Sequence, residues 1–447
     1  MPHFRAKSPL PPALDRGLAG FVGGRGFLVD PLVIREVALS IAWLAAPLTA
    51  LVRPWVFWRL TGASFATFSA LSLAGCGPTG GVFDSPGSAP TTPVQSQPLG
   101  GPTVGETIGS GPARVGVILP LTQGSGPSTV GVSLRNAAAL AMQESGGKDV
   151  TLMVVDDRST PDGAAQAAQS VLGAGAELIV GPLYAPDVRE VARVAKAAGK
   201  PVIAFSTDAT VASPGVYLLS FMIEGYVDRV VEYAQSRGKK SFAALAPQND
   251  FGNVAVAELQ RVASRLGVKV VTVVRYPPGE ASSVASQLSA VSNQIDALLI
   301  PEQADGMAAV NEALAASGVK TQILGTGVWN DARVLRLPAL QGAWFAAPDS
   351  AGFTAFADRY RAKFGSDPTR LATLSYDAVS LVAALARTQG PDRFSNRVLT
   401  NPSGFNGADG VFRFRADGTD QRGLAVMQIG NGAATVISPA PRSFAGG

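Results

Sequence analysis

The chain has 447 residues but one histidine, His3, and one cysteine, Cys76. A lone cysteine excludes an internal disulfide and any multi-cysteine metal cluster. With the only histidine at the third position, a Ser-His-Asp triad, a histidine zinc site and a histidine general base all lack their central residue. Charge is scarce too. Asp, Glu, Lys and Arg make up 16% of the residues against 47% apolar ones, a balance that favours a packed core over disorder. A chain of this length can build more than one core, so two lobes are expected.

The net charge of +4 invites nucleic acid as a partner until it is located along the chain. Residues 1–75 hold Arg5, Lys7, Arg16, Arg25, Arg35, Arg53 and Arg59 against Asp15, Asp30 and Glu36. That segment carries the whole excess. Beyond it the 37 basic and 33 acidic groups of the chain fall to 30 of each. No nucleic-acid surface is expected from a neutral remainder.

What the leader does contain is an export pattern. Leu60–Leu73 (LTGASFATFSALSL) is uncharged and apolar, follows Arg53 and Arg59, and runs into Leu73-Ala74-Gly75-Cys76. Basic residues, an apolar stretch and small residues before a cut are the layout of a secretory signal. A cysteine just after the cut resembles the lipobox of bacterial lipoproteins, which implies a lipid on Cys76 and a membrane anchor through it; a buried structural thiol is the competing role. The leader is longer than the roughly 15–30 residues of such signals. Translation is therefore expected to start near Leu51 or Val52, leaving residues 1–50 untranslated. Residues 76–112 are dense in Gly, Pro, Ser and Thr and read as a flexible tether without a core of its own.

From Arg114 the pattern alternates. Apolar, β-branched runs at Arg114–Pro120, Val150–Val155, Glu177–Val180 and Pro201–Phe205 are each separated by helical spacing, at Val130–Glu144, Asp162–Leu172 and Pro186–Ala198. A second series starts near Glu224. Its strands are Ser241–Leu245, Lys269–Val274 and Ala297–Ile300, and its helices end at Gln235 and Leu266 or cover Ser282–Ser292 and Asp305–Ala316. Continuous apolar strands between amphipathic helices indicate parallel sheets covered on both faces. The fold class is α/β, with two Rossmann-like lobes. Gly199, Gly238, Gly267 and Gly318 stand where helices should close.

Signatures of catalysis and phosphate binding are missing. Neither G-x-x-x-x-G-K-[ST] nor G-x-S-x-G occurs. Gly124-Ser125-Gly126 lacks the rest of a dinucleotide fingerprint. Ser236–Lys239 and Ser317–Lys320 match S-x-x-K, but both fall at predicted helix ends, where they read as caps. Asp156 and Asp157 are neighbours on a strand and point to opposite faces, a poor acid–base pair. No enzyme, cofactor or metal site is expected.

Six stretches resemble, in order, the type 1 periplasmic binding proteins of the leucine/isoleucine/valine-binding family: Val115–Thr122 (VGVILPLT), Val132–Glu144 (VSLRNAAALAMQE), Ile179–Leu183 (IVGPL), Pro201–Thr207 (PVIAFST), Asn249–Gly252 (NDFG) and Leu374–Leu385 (LSYDAVSLVAAL). The resemblance runs from about Arg114 to Ile429. It implies two lobes joined by a three-strand hinge, with passages near Phe221–Gly225, Leu324–Asn330 and Phe405–Phe412. Residues 113–221 plus 325–404 would then form lobe 1, and 222–324 plus 405–440 lobe 2.

The same resemblance implies a small, amino-acid-like ligand and an ABC permease as partner. Open α/β sheets bind ligands outside the carboxyl ends of their strands, where this chain has Tyr184, Ala185, Ser206, Thr207, Asp250, Glu302 and Trp329. Ser206 and Thr207 match the position that holds a ligand carboxylate in amino-acid receptors, and Glu302 is the acid for an ammonium. Tyr184 stands where those receptors carry a small residue. Loop capping or packing is the competing role for each. A narrower likeness, in Ala204–Asp208 (AFSTD), Gly325–Asp331 (GTGVWND), Gly342–Asp349 (GAWFAAPD), Arg370–Asp377 (RLATLSYD) and Leu399–Phe414, resembles lipoprotein activators of penicillin-binding proteins. It implies a peptidoglycan synthase as partner instead. Either way the protein is expected in the bacterial periplasm on a lipid anchor, with Gly77 after the cysteine favouring the outer membrane.

Overall fold

The computed structural model describes residues 105–444. The leader, Cys76, the proposed start site and most of the tether therefore lie outside the described residues. Among the described residues no helix is long and apolar enough to cross a membrane.

The first part of the chain gives β1 (Glu106–Ile108), β2 (Ala113–Leu119), the short hairpin β3 (Thr122–Gln123) and β4 (Gly126–Pro127), α1 (Thr129–Glu144), β5 (Val150–Asp156), α2 (Pro161–Gly173), β6 (Leu178–Val180), α3 (Ala185–Ala197), β7 (Val202–Ala204) and β8 (Val216–Leu218). Six of these strands form one sheet in the order β1-β5-β2-β6-β7-β8. All its pairings are parallel except that of β1 with β5. Val115, Val117, Ile118 and Leu119 of β2 are all fully buried, because helices cover both faces of the strand. Ser128 and Thr160 cap α1 and α2 by accepting hydrogen bonds from Gly131 and Gly163, each satisfying one of the free N–H groups of a first turn.

The second part gives α4 (Ile223–Ser236), β9 (Ser241–Pro247), α5 (Asp250–Leu266), β10 (Lys269–Tyr276), α6 (Ala285–Val291), β11 (Ala297–Leu299), α7 (Met307–Ser317), β12 (Gln322–Gly325), α8 (Ala332–Leu335) and β13 (Trp344–Ala347). The last part adds α9 (Ser350–Phe364), α10 (Ala372–Thr388), α11 (Asn396–Leu399), β14 (Phe405–Gly407), β15 (Gly410–Phe414), β16 (Asp420–Arg422), β17 (Ala425–Gly430) and β18 (Ala433–Ser438). The second sheet runs β10-β9-β11-β12-β13-β17-β18, and β14, β15 and β16 make a small antiparallel sheet. Gly199, Gly238, Gly267 and Gly318 all take positive φ at helix ends, as the spacing predicts.

Four expectations are corrected. Residues 106–108, assigned to the tether, form β1, paired antiparallel with β5; backbone pairing at a sheet edge needs no apolar composition. The second passage between the sheets lies near Ala347–Ser350, not Leu324–Asn330, because β13 pairs with β12 and β17 in the second sheet. Only the four-residue α8 and short turns separate β12 from β13, so no strand–helix rhythm marks β13. The third passage lies at Arg422–Ala425, not Phe405–Phe412. The β14–β16 sheet is tied to the first sheet, where the Leu218 N–H donates to the Gly418 carbonyl at 2.8 Å and Tyr217 packs on Phe414 at 5.2 Å. The helix expected over Ser282–Ser292 is shorter, Ala285–Val291, between two 3-10 turns, in line with the local hydrogen bonds that its serines make.

Candidate functional site

The chain leaves the first sheet from the carboxyl end of β8 into α4, and leaves the second from the carboxyl end of β13 into α9. Both sets of carboxyl ends therefore flank these passages, and the loops that follow the strands are the candidate site.

Three of those loops belong to the first sheet. Asp156, at the end of β5, fastens the loop after β2. Its Oδ1 accepts from the N–H groups of Leu121 at 2.9 Å and Thr122 at 3.1 Å, and its Oδ2 from the Thr122 hydroxyl at 2.6 Å. Tyr184 and Ala185 open α3, both half-buried, after a cis Gly181–Pro182 bond. After β7, Ser206 is buried and its Oγ accepts from the Asp208 N–H at 3.1 Å. Thr207 beside it is exposed. Asp208 binds the Thr210 hydroxyl at 2.6 Å and N–H at 2.9 Å, and Arg189 at 3.0 Å. The Thr210 contacts and the guanidinium hold its carboxyl below the ordinary range, against a smaller opposing effect of burial.

Two loops come from the second sheet. Asp250 is exposed at the start of α5, which Asn249 caps by accepting from the Gly252 N–H at 2.8 Å. Glu302, beyond β11, is 6% exposed. Its Oε2 accepts from the Tyr276 hydroxyl at 2.7 Å and its Oε1 from the Gln303 N–H at 2.7 Å. Trp329 is fully buried, and its Nε1 donates to the Glu302 carbonyl at 3.1 Å.

Glu302 and Trp329 are thus brought together, but as internal supports of one loop. Trp329 is part of the second sheet's core, and a Cβ on Gly325 would fall 2.2 Å from its ring. Tyr184, Ala185, Thr207 and Asp250 keep part of their surface free. Sequence reasoning missed Tyr276, since a tyrosine closing a predicted strand carries no sign of its partner. It also missed Asp187 and set Asp157 aside as half of a poor acid–base pair; both are buried acids near the same strand ends, each with a carboxylate oxygen lacking any partner. Burial pushes Asp157 up to about 7 and Asp187 up to about 6.

The other motifs are local. The Ser236 and Ser317 hydroxyls donate to carbonyls three residues back, at the ends of α4 and α7, which makes them helix caps. Among the described residues no cluster of three His, Cys, Asp or Glu side chains could hold a metal ion.

Several solved structures share this fold. A Rhodospirillum rubrum protein assigned as a branched-chain amino acid ABC transporter is 20% identical, aligns over 73% of this chain and 99% of its own, and gives a TM-score of 0.65. The LivJ substrate-binding protein of Streptococcus pneumoniae, solved with isoleucine, is 20% identical over 73% and 99%, with a TM-score of 0.52. A Rhodopseudomonas palustris solute-binding protein solved with benzoate is 18% identical over 74% and 96%, also with a TM-score of 0.52. No curated protein matches the chain in sequence. The family model described as periplasmic binding protein covers residues 112–434, from β2 into β18 and across every strand-end loop described above. The chain belongs to the periplasmic binding protein family.

Proposed function

We propose that the chain is a lipid-anchored, non-enzymatic binding protein of the periplasm that takes a small carboxylate-bearing, amino-acid-like solute at the strand ends and presents it to an ABC permease. The observation that carries this reading is the exposed Thr207 beside the buried Ser206, in a loop locked by Asp208. A fixed loop with a free hydroxyl and backbone N–H groups suits a carboxylate. Isoleucine and benzoate, found in two proteins of the same fold, share that group. Tyr184, Ala185, Thr207 and Asp250 are assigned to contact the solute, with Asp250 available for an ammonium. Ser206, Glu302 and Trp329 are assigned to hold the loops from inside. The lipid on Cys76 would keep the protein at a membrane.

Thermal-shift screening of the chain against amino acids and aromatic carboxylates tests the reading. A ligand at a hundredfold excess over its Kd should add about 2.7 kcal/mol of stability, and the variant T207V should lose most of that gain. Absence of any shift, together with capture of a peptidoglycan synthase, would favour the docking role that the narrower resemblance implies.

A further inference from the structure

A cavity of about 920 Å³ lies beside the first passage, between α4, α5, the β15–β16 hairpin and the segment from Pro439 to Phe444. None of Tyr184, Ala185, Ser206, Thr207, Asp250, Glu302 or Trp329 lines it. Its volume is that of a small-molecule pocket, about 300–1,000 Å³.

The walls carry many charges, and most are already matched. Glu258 is paired with Arg261 at 2.5 Å and Glu232 with Arg265 at 2.8 Å, while Asp228 is shared between the same two arginines. Asp420 pairs with the buried Arg422 at 3.3 Å. Asp417 accepts from the Thr419 N–H and hydroxyl at 2.9 and 2.7 Å. Burial pushes the remaining acid, Glu224, upward in pKa, toward its neutral form.

Three lining cations have no such partner. Among the described residues no carboxylate comes within salt-bridge distance of Arg229, Arg413 or Arg415. Arg229 donates to the Leu424 carbonyl at 2.9 Å and the Ser438 hydroxyl at 2.7 Å. Arg413 donates to Gln421 Oε1 at 2.9 Å and the Pro402 carbonyl at 3.0 Å, and lies over the Phe444 ring at 4.7 Å. Arg415 makes one long bond, 3.5 Å, to the Asp420 carbonyl. A guanidinium has five N–H donors, so each keeps several free. Arg413 and Arg415 stand two residues apart on one strand and its extension, hence on the same face.

We propose that this cavity binds a small anion bearing carboxylate or phosphate groups, held by the free N–H donors of Arg413 and Arg415 with Arg229 opposite. Guanidinium groups match both oxyanions with paired hydrogen bonds, and an anion there would take up N–H donors that no carboxylate contacts, although acids such as Glu232, Asp417 and Asp420 also line the cavity. It would also bridge elements carried by different sheets, since α4 and α5 pack on the second sheet and the β15–β16 hairpin is tied to the first.

Calorimetric titration of the full-length chain with inorganic pyrophosphate and with citrate tests the site and separates the two oxyanions. At least one should bind, and the double variant R413Q/R415Q should bind it about tenfold or more weakly, the worth of one lost charge-assisted bond or more. The variant R415Q alone removes an exposed side chain with one long contact, so it should fold normally and still weaken binding. T207V should leave the anion affinity unchanged. Failure of both anions to bind the parent chain, or equal affinity in parent and R413Q/R415Q, overturns the proposal.

Discussion

The Tyr276 hydroxyl donates to Glu302 Oε2 at 2.7 Å, between two side chains that are 0% and 6% exposed. Burial, the hydrogen bond to Glu302 and the charge of its carboxylate all push the tyrosine well above its ordinary range, so it remains a donor at any working pH. The pair joins the end of β10 to the loop beyond β11, and the Trp329 indole closes the loop from the other side. A hydrogen bond to a buried charge contributes about 1.5–3 kcal/mol, and removing the donor leaves the acceptor unpaired. The variant Y276F should therefore lower the unfolding free energy by about 2 kcal/mol, read from urea denaturation at neutral pH. A change below about 0.5 kcal/mol would show that the bond carries no more than an average surface contact.

Asp157 predicts an unusual pH dependence. It is fully buried and its Oδ1 accepts from the Ser159 N–H at 2.8 Å, but its Oδ2 has no partner. Burial, with smaller contributions from the charges of Asp187 and Asp156, raises its pKa from 3.8 to about 7. The folded state thus holds a proton that the unfolded chain has released. Its contribution to stability is complete below pH 3.8 and is lost as pH rises through about 7. Asp187, raised by burial to about 6, acts in the same direction. Asp377 and Asp420 also titrate high because of burial, so the informative quantity is the difference between variant and parent. Replacing Asp157 with Asn should recover about 2 kcal/mol of stability at pH 8 relative to pH 5. Parallel stability curves for D157N and the parent would refute this assignment.

The strands were legible where composition dictates them. Val115–Leu119 and Leu298–Leu299 could only be buried runs, and the glycines after the helices marked their ends. β8, β13 and β1 were not legible, because each is three or four residues long; β1 and β13 are also held by partners distant in sequence, β5 and β17, and only a 3-10 turn stands between β7 and β8. The site was legible in outline, since the carboxyl ends of parallel strands follow from topology. Which side of a loop a residue faces did not follow. Ser206 and Thr207 are adjacent and equally polar, yet one is buried and the other exposed. Trp329 resembled a ligand contact as a large aromatic at a passage, but the bare Cα of Gly325 lets the indole fold inward. The arginines of the second cavity gave no signal, because α4, which carries Arg229, and the β15–β16 hairpin, which carries Arg413 and Arg415, are far apart in sequence.

Arg370 shows how the segments near the first passage are held. Its guanidinium makes paired bonds to Asp409, Nη1 to Oδ2 at 2.9 Å and Nη2 to Oδ1 at 2.7 Å, and the Asp409 side chain is completely buried. The same guanidinium lies over Phe221 at 4.4 Å and Phe353 at 4.7 Å. One side chain therefore ties the first passage, α9 and the β14–β15 turn together. Lysine keeps the charge, but it has neither the planar fork nor a face to stack. It would leave one oxygen of a buried carboxylate without its bond and lose both ring contacts. R370K should cost about 2–4 kcal/mol, seen as a lower midpoint in thermal unfolding, whereas R397K, at a pair with both side chains more than 70% exposed, should be silent. If the two variants melt together, charge alone accounts for Arg370, and the fork geometry has no part in holding these segments.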